Sequence, residues 1–241
     1  MQPQLAGRRD AASMHASLDR HTLVWVKPRE RERMYALVRD EVRRDALRRW
    51  FANDWPLVVR RPDRPMHADA VAVGLPLPPS EGKRRLSFEV ENKAISRFLP
   101  PLRLKDAATL LPSHWRMPLA ELARHAAQAA TTLHVVGSVA WQALTGLDYL
   151  TAESDVDLWW QPASVVQLER VIALITRWEA RCGLRADGEA VFPAGAAVAW
   201  REWDEGRSEP RILAKRIDSV GLMSRDALAA TLASRGEPCG R

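Results

Sequence analysis

Two short segments hold residue types suited to phosphoryl chemistry. Val135-Val136-Gly137-Ser138 is an apolar run that ends in a Gly-Ser turn, and 18 positions after Gly137 (155 − 137) stands Asp155 of Ser154-Asp155-Val156-Asp157-Leu158. Read as a strand, the second segment sends Asp155 and Asp157 to one face, roughly 6.6 Å apart along the backbone, and directs Val156 and Leu158 into a core. Two carboxylates on one face repel by about 4 kcal/mol at a 4 Å separation and an effective dielectric of 20. A divalent cation between them relieves that repulsion. The Gly-Ser turn offers backbone N–H groups of the kind that hold phosphate oxygens. The pattern implies a metal-dependent site for a polyphosphate, with Asp155 and Asp157 as metal ligands and Gly137 and Ser138 against the phosphates. The plainer alternative makes Asp155 a loop acid in an Asx-type turn.

The elements that would position these residues follow from periodicity. Residues 20–28 predict a strand closed by Pro28, residues 30–50 an amphipathic helix with Met34, Leu37, Val38, Val42, Leu47 and Trp50 on one stripe. Strands are expected at 56–60, 70–75 and 84–90, the last following a turn-rich loop at 76–83. Prolines at 100, 101, 112 and 118 mark a connector, which places a domain boundary near 100–118. The expected units are an N-terminal β-rich domain over 18–100 and a second domain over 115–235. The second opens with a helix at 119–130, then a strand at 132–136, a helix from about 139, the strand 155–160 and a long helix 162–182 with Pro162 in its first turn. Segments 184–192 and 197–203 read as a hairpin around Pro193-Ala194-Gly195. A strand at 211–216 and a Ser224-capped helix at 225–234 complete the chain.

Composition narrows the class. The 241 residues are 46% hydrophobic and 27% charged, as in ordinary globular proteins. No run approaches the ~20 apolar residues of a membrane span, and residues 1–17 lack the apolar core of a secretory signal. Two cysteines, Cys182 and Cys239, make neither a disulfide framework nor a metal motif, which suits a reducing cytoplasm. The net charge of +6 comes from arginine clusters such as Arg43-Arg44 with Arg48-Arg49, Arg60-Arg61 and Lys83-Arg84-Arg85. This favours an anionic partner, although on helix 30–50 the interleaved acids suit a solvated face better. The ten tryptophans are scattered and suit cores. The six histidines have no triad or metal spacing, and His134 reads as a satisfied core residue. Neither a Rossmann loop nor a P-loop is present.

Strand, Gly-Ser, helix, then a strand carrying Asp-x-Asp is an order of parts that resembles the nucleotidyltransferase superfamily of DNA polymerase beta. The wider run Gly137-Ser138-Val-Ala-Trp141-Gln142-Ala-Leu-Thr-Gly146-Leu147 with Ser154-Asp-Val-Asp-Leu158 is similar to the phosphoribosyl-dephospho-coenzyme A transferases of malonate decarboxylase, its holo-acyl-carrier-protein synthases. Further stretches carry the same resemblance: Pro56-Leu-Val-Val-Arg-Arg61, Val73-Gly-Leu-Pro76 with Gly82-Lys-Arg-Arg85, Asp187-Gly-Glu189, Ala199-Trp-Arg-Glu202, and Lys215. It spans roughly residues 20–230.

The resemblance implies an α+β chain: a small β-rich N-terminal domain followed by a polymerase-beta-like nucleotidyltransferase domain with a mixed sheet. It implies transfer of phosphoribosyl-dephospho-coenzyme A from a triphosphate precursor to a serine of the apo acyl carrier subunit, with loss of pyrophosphate. Magnesium would sit on Asp155 and Asp157. A third carboxylate belongs on the next strand, where Asp187 ranks first, Glu189 second and Glu202 third. Asp187-Gly188 also reads as a β-turn. Arg211 and Lys215 share a strand face and would neutralise charge on the leaving pyrophosphate, with an ordinary surface lysine as the alternative for Lys215. Trp141 and Gln142 suit packing and capping. The basic turn at 82–85 would grip the coenzyme phosphates or the carrier. The rivals are a related transferase acting on RNA, a small molecule or a protein, and a non-catalytic binding module. Nucleic acid is disfavoured because no aromatic-basic RNA-binding motif is found.

Overall fold

The computed structural model describes residues 18–82, 84–206 and 209–233. Lys83 and Cys239, singled out above, lie outside them. The chain is α+β and divides into two units between Pro101 and Leu102.

The first unit carries strands β1 (Leu23–Val26), β2 (Leu57–Val59), β3 (Ala70–Pro76), β4 (Arg85–Glu91) and β5 (Ile95–Leu99), with helices α1 (Pro28–Leu37) and α2 (Glu41–Ala52) between β1 and β2. The sheet is antiparallel in the order β4-β3-β2-β1-β5. All four residues of β1 are buried, and Met34, Leu47, Trp50 and Phe51 of the helices join the core. Two expectations are corrected here. The single helix at 30–50 is two, because Val38 takes extended backbone and Asp40 caps a fresh start by accepting from the Arg43 N–H at 2.8 Å. The proposed stripe breaks with it, leaving Leu37 and Val42 exposed. Strand β5 was not expected; two prolines just beyond it masked a run whose partner is β1.

The second unit holds β6 (Leu102–Arg103), α3 (Leu104–Thr109), α4 (Ser113–Gln128), β7 (His134–Val135), α5 (Gly137–Thr145), β8 (Val156–Trp160), α6 (Val165–Cys182), β9 (Ala186–Val191), β10 (Ala197–Ala199), α7 (Trp200–Glu205), β11 (Arg211–Lys215), β12 (Val220–Ser224) and α8 (Arg225–Ala233). Its sheet runs β12-β11-β10-β9-β8-β7-β6, and only β8 and β9 are parallel. A parallel pair needs a crossover, and α6 supplies it. Ser164 caps α6 by accepting from Gln167 N–H, Gly183 ends it in left-handed backbone, and Leu168, Val171, Ile172, Ile175 and Trp178 bury one stripe. Pro162 therefore lies before the helix rather than in its first turn.

The expected helix at 119–130 begins earlier, at Ser113, with Pro118 inside it. The buried series Trp115, Leu119, Leu122 and Ala126 is a continuous helical face across Pro118, and burial of that face outweighs the lost backbone bond. The Pro118 carbonyl accepts from Trp178 Nε1 at 2.8 Å, which ties α4 to α6. The hairpin around residues 193–195 is present, but its second arm stops at Ala199 and residues 200–205 are helical. Strand β12 was unforeseen, since its residues are largely exposed and carry no inward-facing alternation.

Candidate functional site

One face of the second sheet gathers most of the chemistry. Val156, Leu158 and Trp160 of β8 are fully buried. Alternation therefore turns Asp157 to the other face. Across the parallel pair Asp157 stands opposite Asp187, and Trp159 opposite Glu189. Adjacent strands run about 4.8 Å apart, so Asp157 and Asp187 are immediate neighbours on one face. Asp187 is the second residue of β9, not in a turn, which sets aside the β-turn reading of Asp187-Gly188. Its Oδ1 accepts from the Gly188 N–H at 2.8 Å. Asp155 is the residue just before β8; its Oδ2 lies 3.7 Å from Arg185 Nε.

The Gly-Ser segment meets Asp157 directly. Val136 N–H donates to the Asp157 carbonyl at 3.0 Å, and the chain then turns into α5. Gly137 begins that helix with φ +61°, and a Cβ there would lie 2.0 Å from Asp157 Oδ2. Only glycine lets the Asp157 carboxylate sit so close to the first turn, where helix N–H groups lack intrahelical partners. Ser138 follows, half-buried in the same turn. Gln142, four residues on, accepts from Tyr149 N–H at 3.0 Å and Leu150 N–H at 2.8 Å. It caps the loop that returns the chain to β8, consistent with the capping role read for it; Trp141 is buried.

Glu189 lies one step farther along the same face of β9, and Lys215 Nζ donates to its Oε1 at 3.0 Å. Lys215 is thus engaged by the second-ranked carboxylate. Arg211 occupies the opposite end of β11, roughly 13 Å away along the strand, and its Nη2 donates to the Leu222 carbonyl at 3.3 Å. Glu202 does not join the face. It lies on α7 and accepts from Leu213 N–H at 2.8 Å, because the segment expected as strand is helix.

Sequence reasoning missed three contributors. Arg185 stands two residues before Asp187, so the same alternation would have flagged it. Gly188 has φ +125°, and a Cβ on it would meet the Leu158 carbonyl at 1.9 Å, so β8 and β9 approach only because it is glycine. Trp159 packs with Val191, Ala197 and Val136 beside the acids, and His134 meets its ring edge-on at 5.3 Å. His134 is only in part the satisfied residue expected: backbone groups of Thr132 and Trp159 bond its ring, while its buried Nδ1 has no hydrogen-bond partner among the described residues. Burial, with Arg103 adding to it, pushes this imidazole down to about 4.

Among the described residues no group of three or more His, Cys, Asp or Glu side chains is placed to hold a metal ion, and no helix is long and apolar enough to cross a membrane. The face instead presents hard carboxylate oxygens in a row beside a helix start, with cations at its margins. This arrangement can hold a polyanion only if positive charge is shared among the acids.

Comparison with known proteins agrees over nearly the whole chain. Residues 19–101 match the family model of the phosphoribosyl-dephospho-CoA transferase MdcG N-terminal domain, and residues 103–226 that of its C-terminal domain. The phosphoribosyl-dephospho-CoA transferase of Xanthomonas euvesicatoria pv. vesicatoria is 40% identical over 87% of this chain and 95% of its own. Its counterpart in Bradyrhizobium diazoefficiens is 39% identical over 86% of this chain and 90% of its own. No solved structure matches. The chain therefore belongs to the phosphoribosyl-dephospho-CoA transferase family, and it is a transferase.

Proposed function

We propose that this transferase attaches phosphoribosyl-dephospho-coenzyme A to a serine of the apo acyl carrier subunit of malonate decarboxylase. The donor is the triphosphate precursor. The serine Oγ forms a bond to the innermost phosphorus, the bond from that phosphorus to pyrophosphate breaks, and the serine proton leaves with a base. The observation that carries this reading is the alignment of Asp157 with Asp187 across β8 and β9, with Gly137 closed against the Asp157 carboxylate.

The donor set fits magnesium, which takes carboxylate oxygens together with substrate phosphate oxygens rather than a cage made by protein alone. Asp155 and Asp157 would hold it. Bound there, the ion would supply charge neutralisation to the triphosphate. The remaining work belongs to the chain. The first N–H groups of α5 and the Ser138 hydroxyl hold phosphate oxygens. Asp187 takes the serine proton, with Glu189 as the second choice. Arg185 and Lys215 offset charge that develops on the departing pyrophosphate, whereas Arg211, at the far end of β11, is too distant from Lys215 to share that role. The Gly137 cradle keeps Asp157 fixed while this happens.

The test is direct. Incubated with magnesium, the triphosphate precursor and the apo carrier, the protein should raise the intact mass of the carrier by one phosphoribosyl-dephospho-coenzyme A group on serine. A carrier of unchanged mass under these conditions refutes the proposal.

A further inference from the structure

The start of β9, just before Asp187, is where that strand lacks a partner on one edge. β10 pairs with β9 only through Ala197, Val198 and Ala199, the last opposite Glu189, and the chain then enters α7. At Ala186 the ladder is replaced by side chains. The Ala186 N–H donates to Glu179 Oε1, on α6, at 2.6 Å. The Ala186 carbonyl accepts from Arg201 Nη2, on α7, at 2.8 Å. Arg201 and Glu179 also form an ion pair with each other, and the Arg201 guanidinium lies 4.3 Å from the centre of the Trp200 ring. On the other edge Val156 N–H donates to the Arg185 carbonyl at 2.8 Å, within the β8–β9 ladder. Both edges of the chain leading into Asp187 are thereby held, one by a strand and the other by two side chains from separate helices.

Bonds between a backbone group and an ionised side chain are stronger and more directional than neutral ones. Breaking a partly buried pair leaves the surviving charge uncompensated. We propose that Glu179 and Arg201 are positioning residues that fix the height of Asp187 against Asp157 for the transfer reaction. The proposal rests on Asp187 acting in transfer, as argued above.

A kinetic cycle tests it. Arg201→Ala should lower kcat for carrier modification by about ten- to a hundredfold, the scale of an ångström of misplacement. KM for the precursor should stay within about twofold, and Arg201→Lys should restore part of kcat. In an Asp187→Asn background, followed by single-turnover intact-mass measurement over hours, adding Arg201→Ala should change the residual rate by less than about twofold. Should Arg201→Ala fail to fold, Arg201→Gln, which removes the charge but keeps most of the side-chain volume, takes its place in the same cycle. Losses that multiply in the double variant, or an unaltered kcat in the single one, overturn the positioning role alone. Wild-type turnover by Asp187→Asn overturns both this role and the function assigned to Asp187.

Discussion

At the scale of single residues, the site depends on what is missing as much as on what is present. Gly137 holds left-handed backbone, and any Cβ there collides with Asp157 Oδ2. Gly137→Ala should therefore cost about 1–2 kcal/mol in stability from the backbone alone. It should also reduce transfer far more than that stability loss explains, because Asp157 must move; urea unfolding beside single-turnover rates checks both. His134 makes a separate prediction. Its folded form takes a proton only near pH 4, held down chiefly by burial, whereas the unfolded chain takes one near pH 6.5. The unfolded state binds more protons between these values, so stability falls as pH drops through that window and is intact above it. His134→Phe should flatten that acid limb by about 3 kcal/mol between pH 6.5 and 4, read from unfolding free energies of both proteins. The direction of Asp157 was legible in the sequence because alternation with the buried Val156 and Leu158 leaves it one face, whereas Asp155 lies just before the strand and escapes that rule. The lack of a partner for His134 Nδ1 was not legible, since it depends on what neighbouring strands fail to supply.

At the scale of elements, the parallel β8–β9 pair decides whether the acids meet. Its closeness depends on Gly188, whose missing side chain leaves room for the Leu158 backbone. Gly188→Ala should push the two strands apart, lower kcat about tenfold or more through separation of Asp157 from Asp187, and lower the melting temperature. An unchanged kcat would show that the spacing between these strands does not matter. Long periodic elements such as α6 were readable because five buried positions recur at helical spacing. Glu202 was misplaced because a Trp-rich segment suits a strand as well as a helix, and only the packing of Trp200 and Trp203 decides. The break between α1 and α2 hid in the same way: Asp40 reads equally as one more acid on a charged helix or as a cap.

At the scale of the whole molecule, the basic character is largely neutralised where it is densest. Arg44 and Arg48 pair with Glu41, Arg48 also with Asp45, Arg49 with Glu81, Arg60 with Asp63, and both Arg31 and Arg97 with Asp54. Such exposed pairs add little stability, and they leave fewer free guanidinium groups for a nucleic-acid backbone. Arg84 and Arg85, at the start of β4, are exposed and remain the part of the 82–85 turn available to an anionic partner. Reversing both to glutamate should raise KM for the carrier or the precursor about tenfold while sparing kcat; steady-state kinetics with each substrate varied would show it, and unchanged constants for both would remove the turn from recognition. The central claim concerns the acids themselves. The most direct measurement is the single-turnover rate of carrier modification by Asp157→Asn, with its melting temperature recorded alongside. The account predicts that modification falls by about a thousandfold or more in a protein that melts like the wild type. A rate near wild type in that folded variant would contradict it.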